Sequence, residues 1–131
     1  MREIYLGILN SLKKKVSSVL ATVISEQGTS PRGAGAKLLI REDGALIGSV
    51  GGGVLEKDVI GAASKVFSSG FPVRFSSDPA MSCGGGVEIF LEPVQQGNDL
   101  YYLIWKEIVD LMKRGGSAIL VTAIDTRLWE L

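Results

Sequence analysis

Three short stretches of this chain concentrate the residue types that chemistry uses. In GSVGGGVLEKD, Gly51, Gly52 and Gly53 stand where an apolar run gives way to a helical pattern. Glycine takes positive φ without strain and lets backbone approach a ligand, and the first N–H groups of a helix lack internal partners at the positive end of its dipole. That combination receives a phosphate or another oxyanion. A tight turn packing a helix on a sheet needs the same glycines, and the spacing is neither GxGxxG nor GxxxxGK[ST]. Glu56, in the first turn that follows, is either a ligand contact or an acid favoured by the dipole. In QGTSPRGAGAK, Ser30 and Arg32 flank Pro31, which stiffens the approach of a guanidinium suited to fork-shaped recognition of phosphate or carboxylate. The alternative is a solvated loop arginine. In MSCGGG, Cys83 opens Gly84, Gly85 and Gly86, where backbone N–H groups could favour a thiolate able to ligate a soft metal or attack sulfur and carbon centres. A small buried thiol is the plain reading.

What is missing narrows the list. The 131 residues contain no histidine, so Ser-His-Asp catalysis and histidine-based zinc sites are excluded. One cysteine closes neither a thiolate cluster nor an intrachain disulfide. Lys+Arg and Asp+Glu are each 14, so no overall charge draws the molecule to nucleic acid or an anionic membrane. No stretch approaches the roughly 18 apolar residues of a membrane span, and the first residues lack a signal-peptide pattern. A cytoplasmic protein is expected.

The elements that must position these stretches can be read from periodicity. Length and an apolar share of 46% suit a single domain with one packed core over residues 1–131. Ile4, Ile8 and Leu12 share a helical stripe ending near Lys15, and 19–25 (VLATVIS) reads as a strand covered on both faces. Asp43-Gly44 between apolar runs predicts a hairpin, strands 37–42 and 45–50, through a type I′ turn. Leu55, Val59 and Val66 mark a second helix closed by Gly70, and a short strand is expected over 71–75. Val87, Ile89 and Leu91 alternate with Glu88, Phe90 and Glu92 as in a half-exposed strand. Leu100, Ile104, Ile108 and Leu111 mark a third helix, and 119–125 (ILVTAID), which echoes 19–25, predicts a final buried strand. The expected fold is α+β, or an open α/β sheet, with mixed strand directions, about three helices and a DG hairpin.

In this order, VLATVISEQGTSPRGAGAKLLIREDGALIGSVGGGVLEKDV and CGGGVEIFLEPV resemble the XdhC/CoxI family, accessory proteins of xanthine dehydrogenase and related molybdenum hydroxylases. The resemblance implies a chaperone that binds the molybdenum cofactor, a molybdopterin, protects it while sulfur is installed, and delivers it to an apo-enzyme. On that reading Ser30, Arg32, Gly51, Gly52, Gly53, Glu56, Cys83, Gly84 and Gly85 form the cofactor site, and Cys83 meets the metal or its sulfur. The partners implied are an apo-molybdenum hydroxylase, a sulfur donor, a chain supplying the Rossmann-like second domain of longer relatives, which this sequence lacks, and a second copy in a homodimer. Two departures stand out: Gly51 replaces a serine of the family's GSVSGG turn, and Val54 stands where a cysteine commonly follows it. The competing classes are a small enzyme using Cys83 as nucleophile on an anionic substrate, and a non-catalytic oligomerisation or interaction module.

Overall fold

The computed structural model describes residues 1–26, 34–77 and 86–130. Helix α1 (Arg2–Lys14) is followed by strands β1 (Ser18–Glu26), β2 (Lys37–Arg41) and β3 (Leu46–Gly48). Helix α2 (Gly53–Ser69), strands β4 (Val73–Ser76) and β5 (Val87–Pro93), helix α3 (Asp99–Lys113) and a 3-10 turn, Thr126–Glu130, complete the order. The α+β architecture expected from the sequence is present.

The sheet runs β3-β2-β1-β5-β4. Every described pairing is antiparallel, so the expected mixture of neighbouring directions does not occur. The reason is topological. The α2 crossover returns the chain in the direction of β3, as a helical connection does, but β4 lands at the far edge with three strands between them.

Two apolar layers clamp the sheet. Val59, Ala63 and Val66 of α2 pack on Val19, Ala21, Val23, Ile89 and Leu91, while Ile4 and Ile8 of α1 and Trp105 of α3 pack on Leu20, Leu39 and Val94. Central β1 therefore buries both of its faces, which explains its unbroken apolar run. The same clamp corrects the reading of β5. Phe90 and Glu92 face the α1/α3 side and are 1% and 5% exposed, so the strand is not half-exposed.

The DG hairpin forms with a different turn. Gly44 has φ 92°, but no positive φ is found at Asp43. Gly44 N–H donates to the Arg41 carbonyl at 3.0 Å, and Asp43 Oδ1 accepts from Ala45 N at 3.1 Å. This is a type I turn ending in a left-handed glycine, the wider hairpin closure, and it leaves β3 only three residues long.

The segment 119–125 is not a strand. It runs without ladder partners among the described residues, with Ile119 92% and Val121 85% exposed. Its composition favours a strand, but none of the five strands of the sheet pairs with it.

Candidate functional site

Strand register gathers the ends of three connections. β1 ends where β5 begins, with Glu26 opposite Val87. β2 begins beside them, Lys37 opposite Thr22, and β3 ends there, Gly48 opposite Leu38. β4 ends at the same side, with Ser76 opposite Glu88. The start of α2 and the described ends of the 27–36 and 77–86 connections thus share one end of the sheet. At roughly 4.8 Å per strand, three strand steps separate Gly48 from Val87, about 14 Å. Among the sequence candidates, Gly51, Gly52, Gly53 and Glu56 are described; Ser30, Arg32, Cys83, Gly84 and Gly85 lie outside the described residues.

The glycine turn is built from backbone that other residues would strain. Gly48 has φ 90°, and a Cβ there would stand 2.4 Å from the Lys37 carbonyl oxygen. Gly51, Gly52 and Gly53 follow at φ 141°, 75° and 58°. Among the described residues, a Cβ over Gly53 would meet nothing within 4 Å, and one over Gly52 only the Glu56 carboxylate.

Its polar groups form a closed relay. Gly51 N–H donates to Ser49 Oγ at 3.1 Å, the Ser49 hydroxyl donates to Glu56 Oε2, and Gly52 N–H donates to the same oxygen at 2.6 Å. Glu56 therefore caps its own helix, an arrangement like a capping box moved on by one residue. Both of the sequence readings of Glu56 place a carboxylate at this dipole, and the geometry gives it the capping role. The sequence pattern does not single out Ser49, although a serine seven residues before a glutamate across a glycine turn is a signal that could have found it. Val54, in the first turn of α2, is 57% exposed.

A second polar group lies inside the α1/α3 face of the sheet. Lys37 Nζ donates to Thr22 Oγ1 at 3.1 Å. Burial pushes the Glu92 carboxyl up to about 7, with the nearby Lys37 charge opposing. Burial lowers Lys37, with Glu92 opposing, and raises the Tyr101 hydroxyl, with the Glu92 charge adding to the rise. Phe90, cross-strand from Thr22, carries the Trp129 ring at 5.9 Å. Nothing in the sequence pattern distinguishes Glu92 from the exposed acids of a half-buried strand.

A groove of about 520 Å³ lined by Leu12, Lys15, Gln95, Gln96, Asn98 and Tyr102 opens at the opposite end of the sheet, remote from the glycine turn. Among the described residues no group of three His, Cys, Asp or Glu could hold a metal ion, and no helix is long and apolar enough to cross a membrane.

Comparison with known proteins gives the same framework. Residues 11–76 match the model of the XdhC and CoxI family. The chain is 28% identical over 99 residues to the molybdenum cofactor insertion chaperone PaoD of Escherichia coli, covering 70% of this chain and 31% of that protein. It is 26% identical over 125 residues to a Bacillus subtilis protein named as a probable xanthine dehydrogenase component, covering 88% of this chain and 37% of that one. A crystal structure titled as a xanthine dehydrogenase from Bacillus halodurans aligns with TM-score 0.70 and 30% identity, over 85% of this chain and 35% of that chain. The chain thus spans little more than a third of these relatives at most.

Proposed function

Because the chain belongs to the XdhC and CoxI family, we propose that it is an accessory protein of a molybdenum hydroxylase, not itself an enzyme, which binds the molybdenum cofactor in the cytoplasm for delivery to the apo-enzyme. A sulfur donor and a chain carrying a second domain are the further partners of this reading, and a homodimer its assembly. Support comes from one relative's name as an insertion chaperone and from one observation above all: the register that gathers the glycine turn and the bounds of the other two motif-bearing connections at one end of the sheet.

The residues present fit the cofactor's phosphate under one condition. The Glu56 carboxylate oxygen on Gly52 N–H is an oxyanion already received by this turn, and no other described residue stands over Gly52 or Gly53. A phosphate takes that position once Glu56 swings away, since two anions cannot share one amide. Gly52 and Gly53 then hold the phosphate, Ser49 donates to it, and Arg32 and Cys83 are the sequence's candidates for the remaining contacts. The group's own contribution is the molybdenum redox chemistry of the recipient enzyme. The thiol role that the family assigns after this turn has no counterpart at Val54.

Gel filtration after incubation with molybdopterin tests the reading. Co-elution of pterin fluorescence with the chain, weakened in Arg32→Ala and Cys83→Ala variants that still melt cooperatively, is expected. Wild-type chain that retains no pterin overturns it.

A further inference from the structure

Four buried side-chain polar atoms lack a hydrogen-bond partner among the described residues: Ser11 Oγ, Ser18 Oγ, Arg41 Nε and the Tyr101 hydroxyl. The first three meet at one corner of the fold. Ser18 stands directly opposite Arg41, on the face of the sheet that carries Leu20 and Leu39. Helix α1 crosses that face in the direction of β2. Ile4 Cδ1 lies beside Gly48, which pairs with Leu38, and a Cβ on Gly7 would lie 3.0 Å from Leu39 Cδ2. Ser11 is four residues further along the helix, about 6 Å, and Arg41 two residues further along the strand, about 7 Å. Seven residues after Ile4, Ser11 turns towards the sheet as Ile4 does, and it is only 1% exposed. Gln96 fastens the same corner, its Nε2 donating to the Val16 carbonyl at 3.0 Å and to the Ser11 carbonyl at 3.4 Å.

We propose that this corner is a binding site for one structural water molecule, held by Ser11 Oγ, Ser18 Oγ and Arg41 Nε and tying α1 to the β1–β2 pair. A buried hydroxyl or guanidinium N–H without a partner forfeits the hydrogen bonds that it makes in water, and a polar guest restores them. The carbonyls of both serines are already engaged, that of Ser18 by Val94 N–H at 2.9 Å and that of Ser11 by Val16 N–H at 3.0 Å. The donor set selects a neutral guest. Asp43 Oδ2 accepts from Arg41 Nη2 at 2.8 Å, so the guanidinium charge already has its counter-ion, and the same guanidinium repels a cation. Arg41 Nε–H can only donate, whereas each hydroxyl donates or accepts. Water accepts from Nε–H and makes one bond with each hydroxyl, about the three bonds usual for an internal water. The corner lies at the end of the sheet away from the glycine turn, so the inference is independent of the cofactor reading.

Two measurements on the full chain test it. A high-resolution crystal structure of the wild type should show a solvent peak within hydrogen-bond distance of all three atoms. Magnetic relaxation dispersion of water oxygen-17 and deuterium, which counts long-lived internal waters, should find one fewer in the Ser11→Ala/Ser18→Ala double variant than in wild type. Ser64→Ala, on the exposed side of α2, should leave the count unchanged. Thermal melting verifies that the variants fold. It should also show the double variant losing less than the sum of the two single losses, because both hydroxyls hold the same guest. A wild-type crystal with both hydroxyls turned onto backbone carbonyls and no peak between them overturns the proposal. So does a double variant that keeps the full count of long-lived waters. An anomalous peak at the corner after a bromide soak overturns it in favour of an anion.

Discussion

Replacing Glu92 with glutamine should make the protein more stable relative to wild type as pH rises, an unusual direction for the loss of a charged residue. In the folded chain burial lifts this carboxyl from 4.5 to about 7, against the opposing pull of the Lys37 charge. The gap of about two and a half pH units corresponds to about 3 kcal/mol, at about 1.4 kcal/mol per unit. The sign follows from proton linkage. A carboxyl whose folded value is raised contributes stability that is fully present below the unfolded value near 4.5 and is lost as pH rises through about 7. Glutamine keeps the shape and cannot ionise. Urea denaturation of wild type and Glu92→Gln at intervals from pH 4.5 to 8 should therefore give a difference that grows by about 3 kcal/mol in favour of the variant. The sequence makes this window unusually clean, because no histidine titrates in it. A flat difference, or one growing in favour of wild type, refutes the claim that Glu92 is held as a buried neutral acid at the lower end of the range.

Two further substitutions separate backbone from ligand roles at the glycine turn. Gly48→Ala places a Cβ 2.4 Å from the Lys37 carbonyl at φ 90°, so thermal unfolding should show destabilisation of at least about 1–3 kcal/mol from the backbone conformation alone. Glu56→Ala removes the acceptor of both Gly52 N–H and the Ser49 hydroxyl. It should cost about 1–2 kcal/mol by denaturation, as the loss of a helix cap does, while raising affinity for inorganic phosphate measured by calorimetry. Phosphate binding that falls in this variant would make Glu56 a ligand contact and not a competitor.

Most of the elements were legible because their signals are local. The helix stop at Lys15 is one: a left-handed residue with φ 56°, the last of three lysines suited to the helix dipole. Gly70, at φ 75°, closes α2 where the periodicity ends. The hairpin was legible as a hairpin but not in its closure. Asp-Gly suits both closures, and the two differ in the φ of Asp43, which the residue types alone leave open. At the site, the glycine turn was found by type and spacing, whereas the Ser49–Glu56 relay was not. It exists only because the chain reverses on itself across three positive-φ residues.

The sequence by itself determined where backbone must bend and which stretches must bury apolar side chains, since both follow from the chemistry of a few neighbouring residues. It also closed off histidine chemistry, whatever the fold. Only tertiary structure decided that β5 is covered on both faces, that Glu92 is buried beside Lys37, and that the segment resembling β1 stays outside the sheet. Burial depends on which layer packs opposite, and strand pairing on which strands the connections bring side by side. Those are properties of distant parts of the chain brought together, and no window of neighbouring residues contains them.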